Sequence, residues 1–235
     1  MRGTIIYNGV DLSCFGVYYD GSKEYIKPIR EAERVSIPGR NGDLFLPRNR
    51  WSNLALSFDC YIRDSFLINY DGLVNFLNAT KGYAVLQTSG QPKHYRRAAF
   101  MAAINPDMNQ FNKKGKFTLE FDCKPQRFLK SGTVEQTITS GTSITNPTAF
   151  ASQPLIRIYG NGTVTVGTQT VTVTGNTETY VDVDCELMDC FYGTTNLNKK
   201  VTLSGHEFPV LAPGSNTITY TDVTSVKVTP RWWEL

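Results

Sequence analysis

The chain has 235 residues, 40% of them hydrophobic and 19% charged, and a formal net charge of +3. That length buries roughly 70% of the unfolded surface, enough for one large core or two modest ones, and so small a net charge singles out no class of partner. The absence of an apolar run of about eighteen residues, and of an apolar leader with a small-residue cleavage site, excludes a spanning helix and Sec export, so the expectation is a protein made in the cytoplasm with no membrane partner.

Thr4 to Tyr7 is a β-prone run ended by Asn8-Gly9, a type I′ hairpin signal from which Val10-Asp11-Leu12 returns. Cys14 to Tyr19 reads as a second strand closed by Asp20-Gly21. Residues 30–50 read as a protruding hairpin turning through Ile37-Pro38-Gly39-Arg40-Asn41-Gly42-Asp43, too polar and too basic for core. Its glycines lack the Gly-x-Gly-x-x-Gly order and the strand-to-helix context of a phosphate loop. Arg30, Arg34, Arg40, Arg48 and Arg50 instead form a solvated or protein-facing edge. Arg34, Ile37, Arg40, Leu44, Phe45 and Arg48 are the candidate subunit interface, since the planar, multi-donor arginine head group is favoured there.

Leu54, Leu56, Phe58, Cys60 and Ile62 alternate, so Trp51 to Arg63 is a strand with one buried face and Cys60 is a small core hydrophobe. A helix follows over about 65–80. Phe66, Tyr70, Leu73, Val74 and Leu77 form its apolar stripe, Asp64 or Ser65 caps its start and Gly82 its end. Tyr83 to Thr88, Tyr95 to Ile104 and Lys116 to Cys123 complete a β-rich α+β module, which Lys124-Pro125 ends. Lys93-His94-Tyr95-Arg96-Arg97 with Lys113, Lys114 and Lys116 is basic, but it carries no zinc-finger spacing, RNA-binding sheet motif or helix-turn-helix. It reads as a protein-facing surface, with no nucleic acid expected.

The composition then changes. Residues up to 130 hold nineteen Lys/Arg, twelve Asp/Glu and four Thr, while those beyond hold five, nine and twenty-two. The expected partition is a first module over 1–130, a Thr/Ser/Gly-rich linker over 131–152 and a second module over 153–235. β-Branched threonine suits the wet face of an antiparallel sheet. Runs at 155–159, 164–166, 171–173, 180–183, Leu187-Met188, 200–203, 216–220 and 225–232, separated by Gly/Asn turns, mean a β-sandwich. The fold class is therefore mainly β in two domains.

Cys185 and Cys190 lack the two further ligands a zinc site needs, and the five cysteines, odd in number and widely spaced, exclude a disulfide framework. Asp182, Asp184, Glu186 and Asp189 read as a solvated face. His94 and His206 stand beside no activated nucleophile and no carboxylate pair is placed for catalysis, so neither enzyme activity, cofactor nor metal is expected. Trp232 and Trp233, adjacent on a strand, point to opposite faces, which makes them a candidate interdomain or partner contact. The alternative is a carbohydrate platform, which surface aromatics beside Asn, Asp or Gln on one sandwich face would favour over a face of Thr and Ser alone.

The order and spacing of these segments resemble the distal tail protein (Dit) family of siphophages, of the type found in phages of Gram-positive hosts. The resemblance covers nearly the whole chain. It rests on the hairpin around Ile37 to Asp43, on Phe121-Asp122-Cys123-Lys124-Pro125, on the opener Gln153-Pro154-Leu155-Ile156-Arg157-Ile158-Tyr159-Gly160-Asn161-Gly162, on Leu211-Ala212-Pro213-Gly214-Ser215-Asn216 and on Thr229-Pro230-Arg231-Trp232-Trp233-Glu234-Leu235. It implies a non-enzymatic virion protein at the distal end of the tail, assembled in the host cytoplasm as a homohexameric ring. The hairpin of each N-terminal domain would clasp its neighbour, and a galectin-like sandwich would sit on the periphery. The implied partners are the tail tube protein, a tail-associated hub or lysin protein, and receptor-binding or baseplate proteins; the second reading is a carbohydrate-binding adhesion module for the host cell wall.

Overall fold

In the computed structural model, which describes residues 3–20, 24–109 and 113–235, Asn8 and Gly9 take φ of 48° and 80°. These are the left-handed values a type I′ turn needs, and they fold Ile5–Tyr7 against Val10–Asp11. The chain divides into two units, Met1–Arg127 with Leu235, and Phe128–Glu234.

In the first unit one antiparallel sheet runs in the order Val10–Asp11, Ile5–Tyr7, Ala84–Thr88, His94–Phe100, Lys114–Leu129, Leu54–Ile62, Tyr18–Tyr19. Leu54, Leu56, Phe58, Cys60 and Ile62 are all buried, opposite Cys123, Phe121, Leu119, Phe117 and Gly115. The helix Phe66–Ala79 covers this face with Phe66, Leu73 and Leu77 buried. Phe66 stacks on Tyr70 at 5.2 Å between centroids, and Phe117 meets Tyr70 edge-on at 5.8 Å. The aromatic layer continues through Tyr7 against Phe121 at 5.0 Å.

Several local expectations change. Cys14 to Tyr19 is not one strand. The Asp11 carboxylate accepts from the Ser13 N–H and starts a 3₁₀ turn over Leu12–Phe15, Gly16 at φ 67° ends it, and only Tyr18–Tyr19 is extended. The Gly21 of the expected Asp20-Gly21 turn lies outside the described residues. Ser65 precedes the helix at φ 53° with no side-chain cap, and Thr80, not Gly82, is its C-cap. The strand from His94 stops at Phe100, and the strand through Cys123 does not stop at Pro125 but continues to Leu129. Its ladder with Leu54–Ile62 already ends at Cys123, so the proline removes no donor from that pairing.

Among the described residues the second unit is a sandwich of two antiparallel sheets. The six-stranded sheet runs Gln136–Ile138, Ser225–Thr229, Leu155–Tyr159, Val181–Asp184, Asp189–Tyr192, Thr195–Asn196. The five-stranded sheet runs Thr142–Asn146, Gly214–Thr221, Gly162–Val166, Gln169–Val173, Val201–Leu203. Ile156, Ile158, Val164, Val166, Val171, Val173, Val181, Val183, Ile218, Val226 and Val228 fill the space between. The segment expected to be a linker, 131–152, supplies two of these strands. Each places one isoleucine, Ile138 or Ile144, into the core among threonines and serines. Leu187-Met188 is a turn, with Met188 at φ 55°, and not part of a strand.

Candidate subunit-contact and partner surfaces

The hairpin expected around 30–50 forms from Arg30–Val35 and Leu44–Trp51, which among the described residues pair with each other as a two-stranded sheet. Gly39 and Gly42, at φ 80° and 81°, carry the turns between them. Ala32 faces Pro47, Glu33 faces Leu46, Arg34 faces Phe45 and Val35 faces Leu44. Because opposed residues share a face and faces alternate, one side presents Val35, Leu44 and Leu46 beside Glu33 and the other presents Phe45, Pro47, Ala32 and Arg34. Phe45 is 51% exposed, Leu46 44% and Leu44 39%. Arg34, Arg40 and Arg48 are exposed and Ile37 is half-buried at the turn, where its carbonyl accepts from the Arg40 N–H at 3.1 Å.

The charges of the hairpin are partly spent within it. Arg48 pairs with Glu33 at 3.4 Å, Arg50 with Glu31 at 3.2 Å, and the Arg30 guanidinium lies 5.7 Å from the Trp51 ring centre. Such exposed pairs contribute at most about 1 kcal/mol. The hairpin's large exposed apolar side chains thus include, beyond the Leu44 and Phe45 singled out in sequence, Val35, Leu46 and the 75%-exposed Ile29 just before its first strand.

The basic run at 93–97 does not form one surface. Arg96 is 5% exposed, and its guanidinium donates to the Pro125 carbonyl at 3.3 Å; burial lowers its pKa. Lys93, Lys113, Lys114 and Lys116 remain exposed.

Trp232 and Trp233 do point apart. Trp232 is 4% exposed in the sandwich core, while Trp233 stacks on Phe150 at 4.5 Å and donates its indole N–H to the Ala151 carbonyl at 3.0 Å. Both contacts lie inside the second unit. The single strand expected over 225–232 breaks after Thr229, because Pro230 lacks a donor and Arg231 turns at φ 57°.

The acidic residues read as a solvated face are the other departure. Asp182 and Asp184 are each 4% exposed. Arg157 holds Asp182 with two hydrogen bonds of 2.7 and 2.8 Å, and Arg231 holds Asp184 with two of the same lengths. Asp184 also accepts from the backbone N–H groups of Glu186 and Leu187 at 3.0 Å, fixing the turn that presents Leu187 and Met188. Burial pushes the thiols of Cys60, Cys123 and Cys190 up to about 12, and that of Cys185 up as well, so these cysteines are packing groups and not thiolates at neutral pH.

No protein-family model matches the chain, and no curated protein matches it. Solved structures do. The Dit protein of phage SPP1, described as a paradigm of the hub adsorption apparatus in phages infecting Gram-positive bacteria, matches with a TM-score of 0.72 and 16% identity, over 99% of this chain and 99% of that one. A chain of the phage P2 baseplate in its activated conformation with Ca matches with a TM-score of 0.59 and 12% identity, over 97% of each chain. The same baseplate with Sr gives 0.58, again at 12% identity and 97% of each chain. The chain thus has the fold of a phage distal tail protein along almost its whole length.

Proposed function

We propose that this protein is a structural, non-catalytic component of a siphophage tail tip. It would form a hexameric ring that joins the end of the tail tube to a tail-associated hub or lysin protein and to receptor-binding or baseplate proteins. The observation that carries the reading is the hairpin of residues 30–51. A two-stranded hairpin alone is marginal in water, yet this one is built of up to eight residues a strand and carries apolar side chains on both faces. Its stability as a formed element is accounted for if a neighbouring copy covers those faces. A clasp on one patch that seats on a different patch of the next copy is a heterologous contact, which closes into a ring when the rotation returns on itself. The shared fold along 99% of the SPP1 Dit chain supports the same reading.

Light scattering on the purified protein tests it. The expected mass is about six times the 26.3 kDa of one chain. A particle that stays at 26.3 kDa, both alone and when mixed with the tail tube protein of its phage, would overturn it.

A further inference from the structure

We propose that Asn41-Gly42, in the loop at the tip of the hairpin, is a self-modifying site at which the chain loses the Asn41 amide and keeps aspartate or isoaspartate in its place. The Asn-Gly pair occurs three times in the chain, at 8–9, 41–42 and 161–162. The fold gives the three very different freedom.

The reaction consumes only water. The backbone nitrogen of Gly42 gives up its proton and attacks Cγ of Asn41. The new C–N bond closes a cyclic imide as the bond from Cγ to the amide nitrogen breaks, and that nitrogen leaves as ammonia with the proton. Water then adds to either imide carbonyl and opens the ring, leaving aspartate or, where the main chain now runs through Cγ, isoaspartate with an extra backbone methylene. The chain itself must let the nitrogen reach Cγ, and a following residue without a Cβ crowds that approach least.

Asn41 has this freedom. Arg40, Asn41 and Gly42 are all exposed, and a Cβ built on Gly42 would meet nothing within 4 Å. Among the described residues the loop of residues 36–43 closes one backbone hydrogen bond, from the Arg40 N–H to the Ile37 carbonyl, and none engages the Asn41 amide or the Gly42 N–H. Asn161 is the opposite case. Its amide donates to the Asn176 carbonyl at 2.9 Å and accepts from the Asn176 N–H at 2.7 Å. Gly162 is a rung of the ladder opposite Val173, and the space beside it is filled by the Thr221 carbonyl oxygen, 2.3 Å from where a Cβ would stand. Asn8 is exposed, but its backbone is held. It sits at φ 48° with its N–H on the Val85 carbonyl at 2.9 Å, next to the fully buried Tyr7, so rotating it breaks the type I′ turn and its sheet contact. Asn41, by contrast, has a negative φ and no such tie.

The consequence for assembly rests on the ring reading: a new carboxylate beside Asp43 and a lengthened backbone in the contact hairpin would mark chains that aged before they assembled. The test of the site does not. The full chain is aged warm at mildly alkaline pH and followed by peptide mapping in a mass spectrometer, with isoaspartate labelled by a methyltransferase. Expected is conversion at Asn41 at least about tenfold faster than at Asn8 or Asn161, with an isoaspartate signal at the tip that Asn41→Gln removes while the thermal midpoint holds. In unfolding urea the three rates should converge, because the fold no longer separates them. The same ageing of Phe45→Asp prevents a neighbouring copy on the hairpin from concealing the reaction. Conversion at Asn41 no faster than at Asn161 in both chains would overturn the proposal, as would the same order of rates in urea, which would assign it to local sequence and not to the fold. The peptide map reads each asparagine whether or not copies assemble, so either reading can fail alone.

Discussion

Asp184 shows what a single side chain contributes to the second unit. Burial pushes its carboxyl up, but the Arg231 guanidinium and the N–H groups of Leu187 and Glu186 outweigh burial and hold it below the ordinary value. A depressed folded pKa means that the unfolded chain takes up the proton first. The contribution is therefore complete above an unfolded pKa of about 4 and is lost as pH falls through the folded value. The unfolding midpoint of the second unit should drop on acidification below about pH 4, and Asp184→Asn should flatten that slope. At neutral pH the same variant leaves Arg231 without its main anion and should cost about 3 kcal/mol in a denaturant melt, the low end for breaking a buried pair. The low end applies because Arg231 keeps 19% of its side-chain surface and has Glu186 at 3.5 Å. A variant as stable as wild type would make the pair dispensable. Alternating aspartates look the same in sequence whether water or arginine covers them. The arginines that decide the matter lie 25 and 47 residues away, so the burial of Asp182 and Asp184 was not legible locally. Gly132 makes the same point for sterics: a Cβ there would run into the backbone nitrogen of Trp232, which cannot rotate aside. Gly132→Ala should lower second-unit stability by about 2 kcal/mol in the same melt, and a neutral result would show that the Arg231–Trp232 backbone yields.

At the scale of elements, legibility followed how many residues of a segment enter a core. The helix was readable because Phe66, Leu73 and Leu77 repeat on one face, and Leu54–Ile62 because every second residue is buried. The strands Gln136–Ile138 and Thr142–Asn146 were not, since one isoleucine each leaves no visible alternation and threonine serves strand and loop alike. The hairpin was legible as a hairpin from its two glycine turns, while the exposure of Val35 and Leu46 beside Leu44 and Phe45 became visible only in the structure. A desolvated apolar anchor is worth more to an interface than a screened ion pair. Phe45→Asp and Leu46→Asp should therefore each weaken assembly at least about 30-fold, read as dissociation on dilution in light scattering. The monomer's thermal midpoint should hold, because both side chains are exposed and belong to neither core. Arg48→Glu opposes a surface pair with Glu33 and should weaken assembly less than either. Charge reversal proving more damaging than Phe45→Asp would return the arginines to the centre of the contact.

At the scale of the whole molecule the chain divides into two units of different composition. The shift from four threonines to twenty-two across residue 130, and from an excess of bases to an excess of acids, was plain in composition. The junction itself was less so, because one strand, Lys114–Leu129, passes the boundary between Arg127 and Phe128 without a break. Phe128 is 5% exposed and Leu129 packs on the core of the second unit, so a fragment ending at Lys130 would carry both away from their surroundings. A fragment of residues 1–127 would not, and it contains the helix, the core beneath it and the complete hairpin. If the hairpin and the surface it seats on both belong to the first unit, this fragment must close the same ring as the full chain. Light scattering should then give the same number of copies, with each copy lighter by the missing sandwich. A folded fragment that stays monomeric while the full chain assembles would move the contact surface into the second unit.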